Sequence, residues 1–162
     1  MQSRNNSHRT LDWRVFLLIL SLVVAGAVLP SRFTVNPTPS LGATLFLLKR
    51  SPETVGKGDH VVFRLKETNR HAPGRQLIKQ VTCDEGETLT MREKEYWCNG
   101  NEYLGRAKDL SLKGERLDRF VYNGVVPKGF CFVSGHHNDS YDSRYWGFLN
   151  KRDVSALAYP VF

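Results

Sequence analysis

The sequence lacks the features of a multidomain, repeat or metal-dependent protein. Its 162 residues are enough for one domain of ordinary size, and they contain no internal repeat and no low-complexity tract. The three cysteines do not have the paired spacing of a zinc site. The net charge of +7 has the right sign for nucleic acid, but no nucleic-acid-binding motif accompanies it. We therefore expect no metal, no cofactor and no nucleic-acid partner.

One long hydrophobic run is present, at residues 15–29. It carries no charge and falls slightly short of the roughly 20 residues that a membrane helix needs. Ala25-Gly26-Ala27 has the small-x-small form of a signal-peptide cleavage site, so a cleaved signal remains an alternative to a retained anchor. Basic residues before the run favour a cytoplasmic N-terminus. The predicted organisation is a cytoplasmic tail at 1–13, a transmembrane anchor at 14–30 and a periplasmic domain at 31–162.

The remainder of the chain has no long amphipathic helix. Short β-type runs alternate with turn signals, and they predict strands at residues 45–48, 60–65, 76–82, 88–92, 96–98, 120–122, 130–134 and 154–162. Asn99-Gly100 is the strongest hairpin signal, because both residues readily adopt the positive φ angles of a tight turn. The pattern predicts a mostly β, antiparallel domain.

Cys83 and Cys98 flank a further predicted hairpin. A disulfide between them would close a loop of about 15 residues and stabilise the fold by roughly 3 kcal/mol, and it would suit an oxidising compartment beyond the membrane. The odd number of cysteines leaves at least one, such as Cys131, without an intramolecular partner. Three buried thiols are the alternative.

Ser40 is a candidate nucleophile because it follows a proline-stiffened arm, containing Pro37 and Pro39, close to the hydrophobic run. Taken alone, a serine after proline is more often an ordinary linker residue. The downstream histidines lack any motif that would orient one of them beside it. A Ser-His-Asp triad is therefore not indicated, and a nucleophilic serine would need a different base.

Lys79 is the candidate base. In a strand its side chain shares a face with Leu77 and Val81, so apolar groups would surround the amine. A lysine acting as a base near neutral pH must have its pKa lowered from about 10.4 to roughly 7–8, and burial can produce that change. The alternative is a lysine whose head reaches water from a half-buried strand.

Five ordered segments resemble bacterial signal peptidase I: Thr38-Pro39-Ser40-Leu41, Gly58-Asp59-His60-Val61-Val62-Phe63, Ile78-Lys79-Gln80-Val81, Asn99-Gly100 and Ser140-Tyr141-Asp142-Ser143-Arg144-Tyr145-Trp146-Gly147. The short domain and the nucleophile segment are most similar to the conjugal-transfer TraF branch, which matures pilus subunits. Three positions depart from the family pattern. Leu41 stands where methionine is common, Gln80 where arginine follows the lysine, and His136-His137-Asn138 where Asp-Asn-Arg is expected.

The resemblance implies a signal-peptidase-like antiparallel β domain behind one N-terminal transmembrane helix. Ser40 would be the nucleophile and neutral Lys79 the general base. The Thr38 hydroxyl and the Ser40 backbone N–H would form the oxyanion hole. A supporting set would position the base: Ser140 by a hydrogen bond, and Asp142 and Arg144 as an ion pair.

The expected function is that of a membrane-anchored serine endopeptidase on the periplasmic face of a bacterial inner membrane. Its partners would be membrane lipid and a pilin or secretory precursor, from which it removes the leader of a conjugative pilin. The residues leave open whether it also joins the pilin ends. Two rival functions also remain, a general type I signal peptidase and a non-catalytic anchored β domain of a secretion or conjugation channel.

Overall fold

The computed structural model describes residues 12–35 and 41–161. The chain divides into two units, one ending at Phe33 and the other beginning at Thr34. The first unit contains helix α1, Trp13–Arg32, which covers the hydrophobic run. Its large apolar side chains between Trp13 and Val24 are exposed. Within the described ranges, no helix combines the length and the apolarity that crossing a bilayer requires.

The strands form two sheets. Their bounds are β1 Phe33–Val35, β2 Leu45–Arg50, β3 His60–Arg64, β4 Gln76–Cys83, β5 Thr88–Arg92, β6 Glu95–Cys98, β7 Glu102–Arg106, β8 Gly124–Val125, β9 Phe130–Ser134, β10 Leu149–Asn150 and β11 Val154–Pro160, with a short helix α2 at Ser143–Trp146. The main sheet has the order β1-β2-β11-β3-β4-β9-β10, and the small sheet has the order β7-β6-β5-β8. Neighbouring strands pair antiparallel from β2 to β10 in the main sheet and throughout the small sheet, which confirms the predicted mostly β, antiparallel class.

The sequence pattern located most strands, and one prediction was wrong. Residues 120–122 are not a strand, and the nearby strand is β8. The backbone N–H of Phe120 donates to the Arg144 carbonyl, while the rings of Phe120 and Tyr122 both pack against Phe148. Aromatic residues favour strands because they fit a half-buried surface. Here that surface is an aromatic cluster outside the sheets.

The hydrophobic core covers both faces of the main sheet. Val61 and Phe63 on β3 belong to one cluster, whereas Val62 between them belongs to another, because successive strand residues point to opposite faces. A third cluster contains residues of both sheets, including Phe132 and Tyr96, whose rings stack with centroids 5.5 Å apart. The two sheets therefore share one continuous packed region.

A disulfide also connects the sheets. Cys83 at the end of β4 is bonded to Cys98 at the end of β6, and both residues are completely buried. Cys131 is buried with a free thiol. Burial raises the pKa of this thiol to about 12, so Cys131 stays protonated at physiological pH. The pair that the sequence singled out is the pair that the structure joins.

Replacing both bonded cysteines, as Cys83→Ala/Cys98→Ala, should lower the free energy of unfolding by about 3 kcal/mol, because the unfolded chain regains the freedom of the closed loop. Denaturant titration without reductant measures this change. Adding reductant should destabilise the wild type by a similar amount and leave the double variant unchanged. A wild-type protein indifferent to reductant would contradict the bond.

Candidate active site

Lys79 lies within β4, whose side chains alternate between the faces of the main sheet. Its register partner on β3 is Val61. Val61 and Val81 lie in one apolar cluster, against which Leu77 packs. The side chain of Lys79 is buried, and the residue is only 5% exposed. The amine therefore lies on an apolar face, as the alternation indicated, and does not extend into water.

The amine of Lys79 has one close polar partner in the described chain. Its Nζ donates to the Ser140 Oγ at 2.8 Å. Burial lowers the pKa of Lys79; nearby Asp142 opposes this by favouring the charged form, and Arg144 adds to it by disfavouring that form. The environment therefore favours the neutral amine, the form that can accept a proton.

Asp142 and Arg144 form a buried ion pair beside this amine. The Arg144 Nε and Nη2 each donate to a different carboxylate oxygen of Asp142 at 2.8 Å, and neither residue is more than 1% exposed. Asp142 also accepts from the backbone N–H groups of Gly135 at 3.0 Å and Arg144 at 3.2 Å. Because Arg144 Nη2 also donates to the Ser140 carbonyl at 3.2 Å, the ion pair fixes the backbone of the residue that contacts Lys79.

The small sheet supports the ion pair through residues that the sequence analysis did not identify. Arg144 Nη1 donates to the Arg106 carbonyl at 3.0 Å, and the Tyr96 hydroxyl donates to the Arg144 carbonyl at 2.9 Å. Gly105 directly precedes Arg106 in β7. A Cβ added at Gly105 would stand 2.7 Å from Arg144 Nη1. A glycine inside a strand is the available sequence signal, since it often marks a close approach by another group.

The predicted nucleophile segment lies only partly in the described chain. Ser40 and Thr38 fall outside the described residues. Leu41, the residue after Ser40, is buried and shares a cluster with Ile78, the residue before Lys79. The structure thus brings together four of the predicted site residues: Lys79, Ser140, Asp142 and Arg144.

Two of the departures from the signal peptidase pattern contact each other. His136 Nε2 donates to Gln80 Oε1 at 2.8 Å, and Gln80 Nε2 donates to the Gly58 carbonyl at 3.1 Å. In the family pattern these positions carry arginine and aspartate, which have opposite charges. Here an imidazole and an amide at these two positions are hydrogen-bonded to each other.

One group of three metal-capable side chains occurs in the part of the chain that the structure describes, and it is Cys83, Glu87 and Cys98. The two sulfur atoms are bonded to each other, so they are not thiolate ligands. The Glu87 carboxylate accepts instead from Lys57 at 2.8 Å and from the Asn99 amide at 2.8 Å. The polar groups around the disulfide therefore have structural partners.

Comparison with known proteins identifies what this chain resembles. The sequence profile described as signal peptidase, peptidase S26, matches residues 8–162. Conjugal transfer protein TraF of Agrobacterium fabrum is 28% identical over 166 residues, covering 91% of this chain and 93% of that protein.

Two further relatives differ in the share that they cover. Signal peptidase I of Aquifex aeolicus is 38% identical over 64 residues, which are 39% of this chain and 25% of that protein. This chain therefore matches only a quarter of the length of that curated relative. A protein of Staphylococcus aureus named inactive signal peptidase IA is 21% identical over 150 residues, covering 86% of this chain and 79% of that protein.

Gly105→Ala should destabilise the protein by roughly 2 kcal/mol, because the new methyl group would push Arg144 from Asp142 and strain a backbone with φ of 115°. Gly100→Ala is the matched control, since Gly100 also has a positive φ, of 77°, but has no atom within 4 Å of an added Cβ. Thermal unfolding measures both variants. Equal losses would show that the close approach to Arg144 carries no energetic weight.

Proposed function

Because the chain belongs to the signal peptidase family, peptidase S26, we propose that it is a serine endopeptidase that removes the leader of a precursor polypeptide. Ser40 is the nucleophile and neutral Lys79 the general base. The observation that carries the proposal is the buried Lys79 amine, 2.8 Å from Ser140 Oγ and held in surroundings that lower its pKa. A lysine in this state is costly to the fold and useful as a base.

The reaction is an acyl transfer in two steps. Lys79 takes the proton of the Ser40 hydroxyl as Oγ attacks the scissile carbonyl carbon. The C–N bond then breaks, and the proton on Lys79 passes to the departing amine. In the second step Lys79 takes a proton from water, whose oxygen attacks the acyl carbon. The acyl–Oγ bond breaks, and the same proton returns to Ser40.

The supporting residues have separate roles in this proposal. The Thr38 hydroxyl and the Ser40 backbone N–H donate to the oxyanion, where losing one donor typically costs about 3–4 kcal/mol in the barrier. Ser140 orients the Lys79 amine, and the Asp142–Arg144 pair holds Ser140. Leu41, the residue after Ser40, belongs to the same apolar cluster as Ile78, the residue before Lys79 on β4.

The proposed substrate is a conjugative pilin precursor. This choice rests on the similarity to a conjugal transfer protein that extends over 91% of this chain, against a match over only 39% of it for signal peptidase I of Aquifex aeolicus. The proposal is hydrolysis. Joining of the pilin ends has no support in the relatives or in the described residues.

An inactive β domain is the second candidate, and the Staphylococcus aureus relative named inactive signal peptidase IA favours it. The state of Lys79 argues against it here. A domain without catalysis would gain stability from an apolar residue at this buried position, yet the chain has a lysine with a hydroxyl partner and a supporting ion pair.

The test is cleavage of a conjugative pilin precursor by the full chain in detergent micelles. Ser40→Ala and Lys79→Ala should each reduce cleavage at least about 100-fold, as expected for losing a nucleophile or a general base. Lys49→Ala, which removes an exposed lysine of β2, is the matched control and should cleave normally. Unchanged cleavage in both site variants would end the proposal, while cleavage only of unrelated secretory precursors would favour a general signal peptidase.

The pH dependence of the cleavage rate should report the protonation state of Lys79. Burial lowers the pKa of Lys79 below its ordinary 10.5, and only the neutral amine accepts a proton. The rate should therefore rise with pH in a limb centred below 10.5. Ser140→Ala should shift the pH range over which the rate rises, because it removes the hydrogen-bond partner of the Lys79 amine. A limb at the value of free lysine would contradict the role of burial.

We also propose that helix α1 associates with membrane lipid, at the inner membrane and with the peptidase unit in the periplasm. Its exposed residues include Phe16, Leu18 and Leu22, and an exposed apolar stretch of this length marks an interaction site.

The full chain should float with phosphatidylethanolamine–phosphatidylglycerol vesicles, and Leu18→Lys/Leu22→Lys should not. The control Leu47→Lys/Val121→Lys changes two exposed apolar residues of the other unit and should still float. Flotation of both variants would contradict the proposal.

A further inference from the structure

A pocket of about 230 Å³ lies beside Ser140, the residue whose hydroxyl contacts the Lys79 amine. We call it the Ser140 pocket. Residues of two loops, at 71–75 and 108–117, line it together with Tyr141 and Tyr145. Its volume is below the range of about 300–1,000 Å³ usual for small-molecule sites. It has room for one or two side chains of a longer ligand.

Part of the pocket wall is apolar and open to solvent. Leu110 is 56% exposed and Leu112 is 85% exposed, and both line the pocket. The lining also includes the rings of Tyr141 and Tyr145, which stack with centroids 5.4 Å apart. Exposed leucines that line a concave surface together with aromatic rings indicate contact with an apolar side chain of a partner.

The polar groups of the pocket have an excess of positive charge. Lys108 pairs with Asp139. Glu115 Oε2 lies 3.3 Å from Nδ1 of His71, a contact that is an ion pair only where the ring is protonated. The two remaining cations on the wall are Arg75 and Lys113, which make no ion pair and no side-chain hydrogen bond with another described residue. The rim therefore presents two positive charges available to a carboxylate.

A buried polar atom of the lining also lacks a partner. His71 Nε2 has no hydrogen-bond partner among the residues that the structure describes, whereas its Nδ1 faces Glu115. Buried polar atoms are nearly always hydrogen-bonded.

The proposed mechanism indicates which part of a substrate peptide would occupy the Ser140 pocket. The proton on Lys79 passes to the departing amine, so the segment that follows the scissile bond must begin within hydrogen-bond reach of Nζ. Ser140 Oγ lies at that distance from Nζ, and Ser140 lines the pocket.

We propose that the Ser140 pocket binds the substrate segment that follows the scissile bond, taking an apolar side chain flanked by carboxylates. This inference rests on the proposed function. Arg75 and Lys113 are then the residues that select acidic segments, and Leu110 and Leu112 close over the apolar side chain. Neither cation touches the reacting atoms, so their effect falls on substrate selection.

The experiment uses three internally quenched peptides that differ only after the cut, where Ala-Leu is followed by two glutamates, two glutamines or two lysines. Small residues precede the cut in all three. Cleavage by the full chain is measured at low salt, and dye-labelled peptides with the same three leaving sequences report binding by fluorescence anisotropy. Wild type should prefer the glutamate peptide to the lysine peptide roughly 5- to 10-fold in kcat/KM and in affinity.

The variant Arg75→Glu/Lys113→Glu should reverse this order. Its matched control is Arg92→Glu/Lys128→Glu, which changes the net charge equally at two exposed residues outside the pocket and should keep the wild-type order. Leu110→Ser/Leu112→Ser should weaken binding of all three peptides without changing their order.

Two other results would distinguish failure of this inference from failure of the proposed function. Cleavage that is indifferent to the charge of the leaving segment, or equally affected by both charge variants, would overturn the inference and leave the proposed function standing. Charge-dependent binding without cleavage of any peptide would overturn the proposed function, and with it the assignment of the occupant as substrate.

Discussion

Keeping the Lys79 amine out of water is the constraint on which the rest of the domain depends. Burial disfavours the ammonium form, and without compensation this would be a defect in the core. The Ser140 hydroxyl gives the amine one defined partner, and the Asp142–Arg144 pair holds the segment carrying Ser140. Because Asp142 and Arg144 act in opposite directions on the pKa of Lys79, their pairing leaves burial as the dominant effect.

The small sheet helps to hold the Asp142–Arg144 pair in place. It supplies the Arg106 carbonyl to Arg144, the Tyr96 hydroxyl to the Arg144 carbonyl, and the glycine that lets the guanidinium approach β7. The disulfide and the Tyr96–Phe132 stack join this sheet to the strand that carries Lys79 and to its neighbour β9. The environment of one amine is therefore built from both sheets.

The sequence predicted the features that depend on local alternation. The period of two along β4 placed Lys79 on an apolar face, and the turn signals separated most of the strands correctly. It did not predict β8 or the loop position of Phe120, since those depend on an aromatic cluster formed by distant residues. The roles of Gly105 and Tyr96 were also not predicted, because they arise only when Arg144 packs against these two residues. The motifs that resemble a known family indicated Ser140, Asp142 and Arg144, which no periodicity could have selected.

The contact between Lys79 and Ser140 joins positions 61 residues apart, and Arg144 lies beyond both. A chain made from its N-terminus completes Lys79 long before these partners exist, and until they arrive that lysine is an ordinary hydrated ammonium. Long-range contacts also form late in folding, because closing a large loop must precede them. The surroundings that favour the neutral amine are therefore complete only after Ser140 and Arg144 have been made, so the amine of a shorter nascent chain keeps its positive charge.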